Sequence, residues 1–244
     1  MIEIQGVKKR FEDKPVLDGV NLSIARGDTL VIVGKSGCGK TVLLKSLIGL
    51  IRPEHGSILI EGRNIIGMRQ KELYRVRKKF GMLFQGAALF DSMTVEENVG
   101  LPLMEHTKLP PGEIRKKVSE KLGLVGLPGI EDKKPAELSG GMRKRVGLAR
   151  ALMMEPEIVL YDEPTTGLDP VTAVKINELI AEMNDRLGVT SIAVTHDMHS
   201  AFKIGRRIAM LHSGKVVFDG SVKEFQKSRD PLVHGFLEYQ RQEI

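Results

Sequence analysis

Three things are scarce in this chain, and each scarcity excludes something. A single cysteine, Cys38, rules out an internal disulfide and leaves no cysteine pair for a zinc site. Tryptophan is absent and aromatics make up only 5% of the residues, too few for a platform on which single-stranded bases stack. No apolar run reaches the roughly 18 residues that a membrane-spanning helix needs, and the start, MIEIQGVKKRF, lacks the apolar segment of a signal peptide. A cytoplasmic protein is the expectation. What is present is the composition of one large domain, or one domain with a lobe: 244 residues, 41% hydrophobic and 28% charged. The formal net charge of +6 leaves three readings open: nucleic acid, an anionic membrane face, or a surface that is merely basic. The basic clusters, Arg69–Lys79, Arg115–Lys117, Lys133–Lys134 and Arg143–Arg145, are scattered.

Against this background one stretch stands out. Gly34–Thr41, GKSGCGKT, fits the phosphate-loop pattern G-x-x-x-x-G-K-[ST] at every fixed position. Glycines at 34, 37 and 39 let successive N–H groups turn inward towards phosphate oxygens. Lys40 can reach the β- and γ-phosphates, and the Thr41 hydroxyl can hold Mg²⁺. The flanks agree: Thr29–Val33 reads as a buried strand and Lys40–Leu50 as an apolar helix whose positive end meets the same anion. These residues predict a nucleoside triphosphate site.

Around it the pattern is α/β. Residues 1–28 alternate at period two (Ile2, Ile4; Val20, Leu22, Ile24), and Gly56–Gly62 is another alternating strand. A basic helix near Gln70–Arg77 precedes the strand Phe80–Gln85. From there to about Pro156 helical patterns dominate: Val95–Glu105, Pro111–Leu124 and Gly141–Met153, separated by KLPPGE and LVGLPGIEDKKP. Strands return at Ile158–Asp162, Thr190–Thr195, Arg207–Leu211 and Lys215–Asp219, with a helix at Thr172–Leu187, an alternation that implies a parallel sheet. Pro231–Ile244 reads as an amphipathic helix.

Two further stretches carry chemistry. In IVLYDE a buried strand ends in Asp162, a carboxylate suited to Mg²⁺, and Glu163 follows, placed to polarise a water attacking the γ-phosphate. LSGGM, Leu138–Met142, opens a helix with a serine and two glycines. It is either a second anion site or a plain N-cap by Ser139. Phe11, flanked by charges, is either core or an exposed ring able to stack on a base. His196 and His199 have no third ligand cluster and read as something other than zinc ligands. Cys38, beside a helix start and Lys40, is expected to favour the thiolate and to be alkylated unless ATP shields it.

Together these motifs resemble the ATP-binding-cassette (ABC) ATPase family, in the family's order and over nearly the whole chain. The resemblance implies a P-loop NTPase fold: a RecA-like core with a mainly parallel sheet, an N-terminal antiparallel β lobe, and an inserted helical subdomain. In numbers, the β lobe and core take 1–85 and 157–220, the helical subdomain 86–156, and a helical tail 221–244. ATP would contact the base-stacking Phe11 and the Walker A residues Gly34, Lys35, Ser36, Gly37, Cys38, Gly39, Lys40 and Thr41, with Val42. Gln85 matches the Q-loop, Ser139, Gly140 and Gly141 the signature, Asp162 Walker B, and Asp169 the D-loop. Glu163, His196 and Lys40 would be catalytic, and Thr41, Gln85 and Asp162 would hold Mg²⁺.

By the same resemblance, ATP lies between two copies of the chain, which drive a permease dimer whose coupling helix docks on the helical lobe. The run LFQGAALFDSMTVEENVGLPL, the LSGGM signature and the DP-x-V-x-x-FL tail look like the ATPases of Mla-type phospholipid transporters. That implies a peripheral place on the cytoplasmic face of a Gram-negative inner membrane, an MCE-domain lipid-binding partner and a STAS-domain regulatory subunit. No nucleic acid is expected. The alternatives are an importer of a polar solute such as an amino acid, and an ABC protein acting on nucleic acid or ribosomes. Two departures from the family pattern are Met142, where glutamine is usual, and Tyr161 before the Walker B aspartate; Tyr161 should be tolerated if its hydroxyl finds a partner.

Overall fold

A computed structural model describes residues 1–242. Strands β1 (Ile2–Phe11) and β2 (Lys14–Ile24) form a hairpin, and β3 (Thr29–Val33) runs through the phosphate loop into α1 (Lys40–Leu47). Then come β4 (His55–Ile60), β5 (Arg63–Asn64), α2 (Gln70–Arg77) and β6 (Phe80–Leu83). Three helices follow without a strand: α3 (Val95–His106), α4 (Pro111–Leu124) and α5 (Gly140–Ala151). Alternation resumes with β7 (Ile158–Asp162), α6 (Pro170–Leu187), β8 (Thr190–Thr195), α7 (Met198–Ile204), β9 (Arg207–His212) and β10 (Lys215–Ser221). The last elements are α8 (Val222–Lys227) and α9 (Pro231–Gln242). Within the expected tail helix, Glu243 and Ile244 lie outside the described residues.

The strands make two sheets. One is four-stranded and antiparallel, ordered β2-β1-β4-β5; the other is six-stranded, ordered β10-β9-β3-β8-β7-β6. In the larger sheet every pairing is parallel except β10 with β9. Its central strands are apolar on both faces, as a sheet covered on both sides requires. Val31, Val33, Val159, Tyr161, Ala193, Ile208 and Met210 face the core shared with the α3–α5 helices and the C-terminal helices. Their neighbours Leu30, Ile32, Ile158, Leu160, Ile192, Val194, Ala209 and Leu211 face α1 and the antiparallel sheet. Period-two alternation thus assigns each side chain to one of two cores.

Local chemistry sets the helix ends. Thr94 and Glu97 form a reciprocal capping box at the start of α3, with Thr94 Oγ1 accepting from the Glu97 N–H at 3.2 Å and the Glu97 carboxylate accepting from the Thr94 N–H at 2.6 Å. Helix α1 stops at Leu47, three residues short of the expected Leu50, because Gly49 turns the chain into the left-handed region (φ 64°) and Leu73 fills the space beside it. Helix α9 is held down by Val233 and Phe236, both buried against Phe225 and its neighbours.

Tyr161 does find its partner. The ring is fully buried and its hydroxyl donates to Asn184 Oδ1 at 3.0 Å, an oxygen that also accepts from Ser191 Oγ at 2.6 Å. Tyr161→Phe leaves Asn184 Oδ1 bonded, so the expected cost is about 1 kcal/mol of stability. In a chain of this size that is a fall of roughly 2–4 °C in Tm. Thermal unfolding reads the shift, and ATP hydrolysis at 25 °C should stay at the wild-type rate.

Candidate functional site

The parallel strands end in register, and the site is built on their carboxyl ends. Val33 of β3 pairs with Thr195 of β8, and Val194 of β8 pairs with Asp162 of β7. The next residues along each strand, Gly34, His196 and Glu163, therefore emerge side by side. Gly34 has no room for a side chain: a Cβ there would sit 2.3 Å from the Leu211 carbonyl oxygen, at φ 151°. Gly39, which caps α1 at φ 108°, is closed in similarly by the Val16 carbonyl oxygen at 2.8 Å. Gly34 and Gly39 are thus demanded by close backbone approach, whereas Gly37 has open space around it and is favoured by its φ of 77°.

Charged side chains are buried at this edge. Lys40 is 6% exposed; its Nζ donates to the carbonyls of Gly34 at 2.7 Å and Lys35 at 3.3 Å, and lies 3.8 Å from Glu163 Oε1. The Thr41 hydroxyl donates to Asp162 Oδ1 at 2.8 Å. Glu163 sits in the left-handed backbone region, φ 48°, which a non-glycine residue adopts only when its surroundings hold it. Those surroundings are specific. The Glu163 N–H donates to the Val194 carbonyl at 2.9 Å, and Oε2 accepts from Thr166 Oγ1 at 3.1 Å, Thr195 Oγ1 at 3.3 Å and His196 Nδ1 at 2.9 Å.

A cavity of about 240 Å³ opens here, lined by Ser36, Gly37, Gly39, Lys40, Thr41, Val42, Gln85, Glu163 and His196, with Val16 from β2. Nine of the predicted residues thus share one wall, and Asp162 joins them through Thr41. Phe11 does not line it. The ring is 46% exposed at the end of β1, 4.9 Å from Lys9 Nζ, so the exposed reading of this aromatic holds. Ser139, Gly140, Gly141 and Asp169 do not line it either. Ser139 caps α5 by accepting from the Met142 N–H at 3.3 Å, and Asp169 caps α6 by accepting from the Thr172 N–H at 3.0 Å. Gly141 has a packing reason of its own, since a Cβ would come 2.5 Å from Thr172 Cγ2.

Two expectations need correction. Burial, the dominant influence, pushes the Cys38 thiol up, outweighing the downward pull of Lys40. The thiolate is therefore disfavoured, not favoured. Within the cluster Arg143–Arg145, read as surface charge, Lys144 is buried, and its Nζ donates to the main-chain carbonyls of Gln85 and Glu163. Burial lowers its pKa to about 8 while Asp162 and Glu163 pull it back up. Sequence reasoning missed Val16 and the Lys144 contacts: Val16 shows only strand alternation, and Lys144 sits in a run of cations.

The oxygen donors suit a hard divalent cation: a hydroxyl and a carboxylate already touch at Thr41 and Asp162, and Gln85 lines the same cavity. Among the described residues no cluster of three or more His, Cys, Asp or Glu side chains could hold a metal unaided, so phosphate oxygens would have to complete the shell.

The family described as ABC transporter matches residues 17–166, reaching from β2 past Glu163. A probable ribonucleotide transport ATP-binding protein of Mycobacterium leprae (strain TN) is 48% identical over 240 residues, 98% of this chain and 69% of that protein. The intermembrane phospholipid transport system ATP-binding protein of Escherichia coli (strain K12) is 42% identical over 238 residues, 98% of this chain and 88% of that protein. A dimeric ATP-binding cassette solved after hydrolysis, bound to ADP and Pi, superposes with a TM-score of 0.83 at 35% identity, covering 91% of this chain and 99% of that one. The chain belongs to the ABC transporter family, as an ATP-binding cassette that hydrolyses ATP.

The corrected thiol chemistry gives a prediction. Iodoacetamide should alkylate Cys38 slowly at pH 7, with the rate rising to a midpoint at higher pH than for a free cysteine. Saturating ATP should slow it further. Mass spectrometry of the intact chain reads both, and a midpoint below that of free cysteine would restore the thiolate reading.

Proposed function

We propose that this chain is the motor subunit of a phospholipid transporter, working as a pair that share ATP across their interface. The observation that carries the reading is the division of the site. Lys40, Thr41, Asp162, Glu163 and His196 converge on one cavity, while Ser139 and Asp169 stand exposed and away from it. A second copy would bring its own Ser139, Gly140 and Gly141 to face Lys40. The dimeric form of the similar cassette supports this arrangement.

In the shared site the inward N–H groups of the loop and the Lys40 ammonium bind the β- and γ-phosphates, and Phe11 stacks on the base. Thr41, Asp162 and Gln85 would hold magnesium. Bound there, the ion would neutralise charge building up on the phosphate oxygens. Glu163 orients and deprotonates the attacking water, its Oε2 held by two hydroxyls and by His196. Pairing on ATP and separation after hydrolysis deliver the mechanical output. The segment 86–156 forms the lobe that meets the permease. A groove of about 390 Å³ between α2, β6, α3 and α5, with Tyr74, Pro102, His106 and Met154 on its walls, suits a docked helix.

The names of the relatives divide between ribonucleotide and phospholipid. The stretch after Gln85 and the tail favour phospholipid, with an MCE-domain carrier and a STAS-domain subunit as partners at the cytoplasmic face of the inner membrane. Ribonucleotide transport is the second reading, supported by the 48% identity to the mycobacterial protein. Purification in mild detergent with mass spectrometry decides: a permease carrying phospholipid supports the first reading, and one without lipid that binds ribonucleotide supports the second. On mechanism, Glu163→Gln should lower kcat by about a hundredfold or more while ATP affinity stays within about threefold. Wild-type turnover in that variant removes Glu163 from the reaction. The specific rate should also rise with chain concentration; a monomer with a concentration-independent rate overturns the shared site.

A further inference from the structure

Lys144 is an ionisable group that the phosphate-binding reading leaves unused. It lies on α5, is 5% exposed, and among the described residues forms no ion pair with a carboxylate. Its ammonium is held by two main-chain carbonyl oxygens, those of Gln85 and Glu163, the second at 3.1 Å. The carboxylates of Asp162 and Glu163 attract it without pairing with it; a buried charge so loosely compensated is costly, and an apolar side chain of the same length would fill the space without that cost.

Both carbonyls belong to segments in unusual backbone conformations. Glu163 is left-handed at φ 48°, and Ala87 and Ala88, just after Gln85, are left-handed at φ 60° and 49°. Helix α5 laces the second segment again through Arg150, whose guanidinium donates to the carbonyls of Ala87 at 2.6 Å and Ala88 at 2.7 Å. Among the described residues, Lys144 is the one α5 side chain that hydrogen-bonds to Glu163, whose carboxylate faces Lys40. Helix α5 begins at Ser139, the residue that a partner copy's nucleotide would meet. One ammonium therefore connects the signature end of α5, the backbone of Gln85 and the backbone of Glu163.

We propose that Lys144 is a positioning residue: it makes Glu163 and Gln85 move with the signature helix, so that the water-activating carboxylate is aligned only when α5 is seated. This rests on the reading of Glu163 as the base. The ammonium acts through two carbonyls, and through them on the Glu163 carboxylate and the Gln85 amide. Removing the donors would leave ATP binding to the loop intact and misalign the carboxylate. The expected signature is a loss in kcat with little change in KM.

The test uses the full chain with Lys144→Met, which keeps the length and removes the donors, and Lys144→Arg, which keeps donors and charge. For a folded Lys144→Met we expect kcat lower by about tenfold or more, KM for ATP within about threefold, and faster amide exchange in the segments around 85–88 and 162–166. Lys144→Arg should recover kcat to within about threefold of wild type. Wild-type kcat in Lys144→Met overturns the proposal, as does a Lys144→Arg as slow as Lys144→Met. If Lys144→Met does not fold, Lys144→Arg decides alone: near-wild-type kcat supports the tie, and about a tenfold loss overturns it. Glu163→Gln run in parallel separates the two readings. Wild-type turnover there removes the base itself, whereas loss there beside normal turnover in Lys144→Met removes only the tie.

Discussion

The parallel register of β3, β8 and β7 is the constraint on which the site depends. Hydrogen bonding aligns Val33 with Thr195 and Val194 with Asp162, so three chain segments far apart in sequence leave the sheet at one level. A crevice outside the carboxyl ends of parallel strands is where α/β folds bind ligands, because loops there can vary without disturbing the sheet. Here the consequence is concrete: the Thr41 hydroxyl meets the Asp162 carboxylate across 121 positions of sequence. A slip of one residue in any of these strands would turn each side chain to the opposite face and separate them.

Around that edge the molecule holds charge and strain together. Lys40, Asp162, Glu163 and Lys144 are all buried, an arrangement that only mutual attraction and main-chain hydrogen bonds make tolerable. Glu163 sits in a backbone region that disfavours side chains, restrained by the bond from its N–H to Val194, by two threonine hydroxyls, by His196 and by Lys144. The carboxylate proposed to activate water is thus the most heavily restrained group in the cavity. The same buried setting explains why Cys38, though it lies in an anion-binding loop, holds its proton: desolvation of the sulfur outweighs the nearby ammonium.

The outward-facing elements follow a different logic. Phe11, Ser139 and Asp169 are exposed; Ser139 and Asp169 are occupied as helix caps, a role that satisfies backbone N–H groups without a ligand. In the proposed pair the surfaces around Ser139 and Asp169 meet the partner's nucleotide, so one residue, Ser139, serves the helix in the single chain and the phosphate in the pair.

Much of this was legible in the residues. The glycines, Lys40 and Thr41 of the loop, the apolar strand ending in Asp162 and Glu163, and most element boundaries follow from local spacing, since turns, caps and two-residue alternation are properties of short stretches. Gly49 shows the limit: it ended α1 early where apolar periodicity ran on to Leu50. What the sequence by itself determined is therefore the chemistry available, a phosphate loop with its carboxylates, and the order in which the chain delivers it. The tertiary structure alone decided which groups lose their water. It half-buried Cys38 and enclosed Lys144, which look like a reactive thiol and a surface cation in the sequence, and left Phe11 exposed. The reason is physical: solvation depends on what other segments bring against a side chain, and no stretch of sequence carries that about itself.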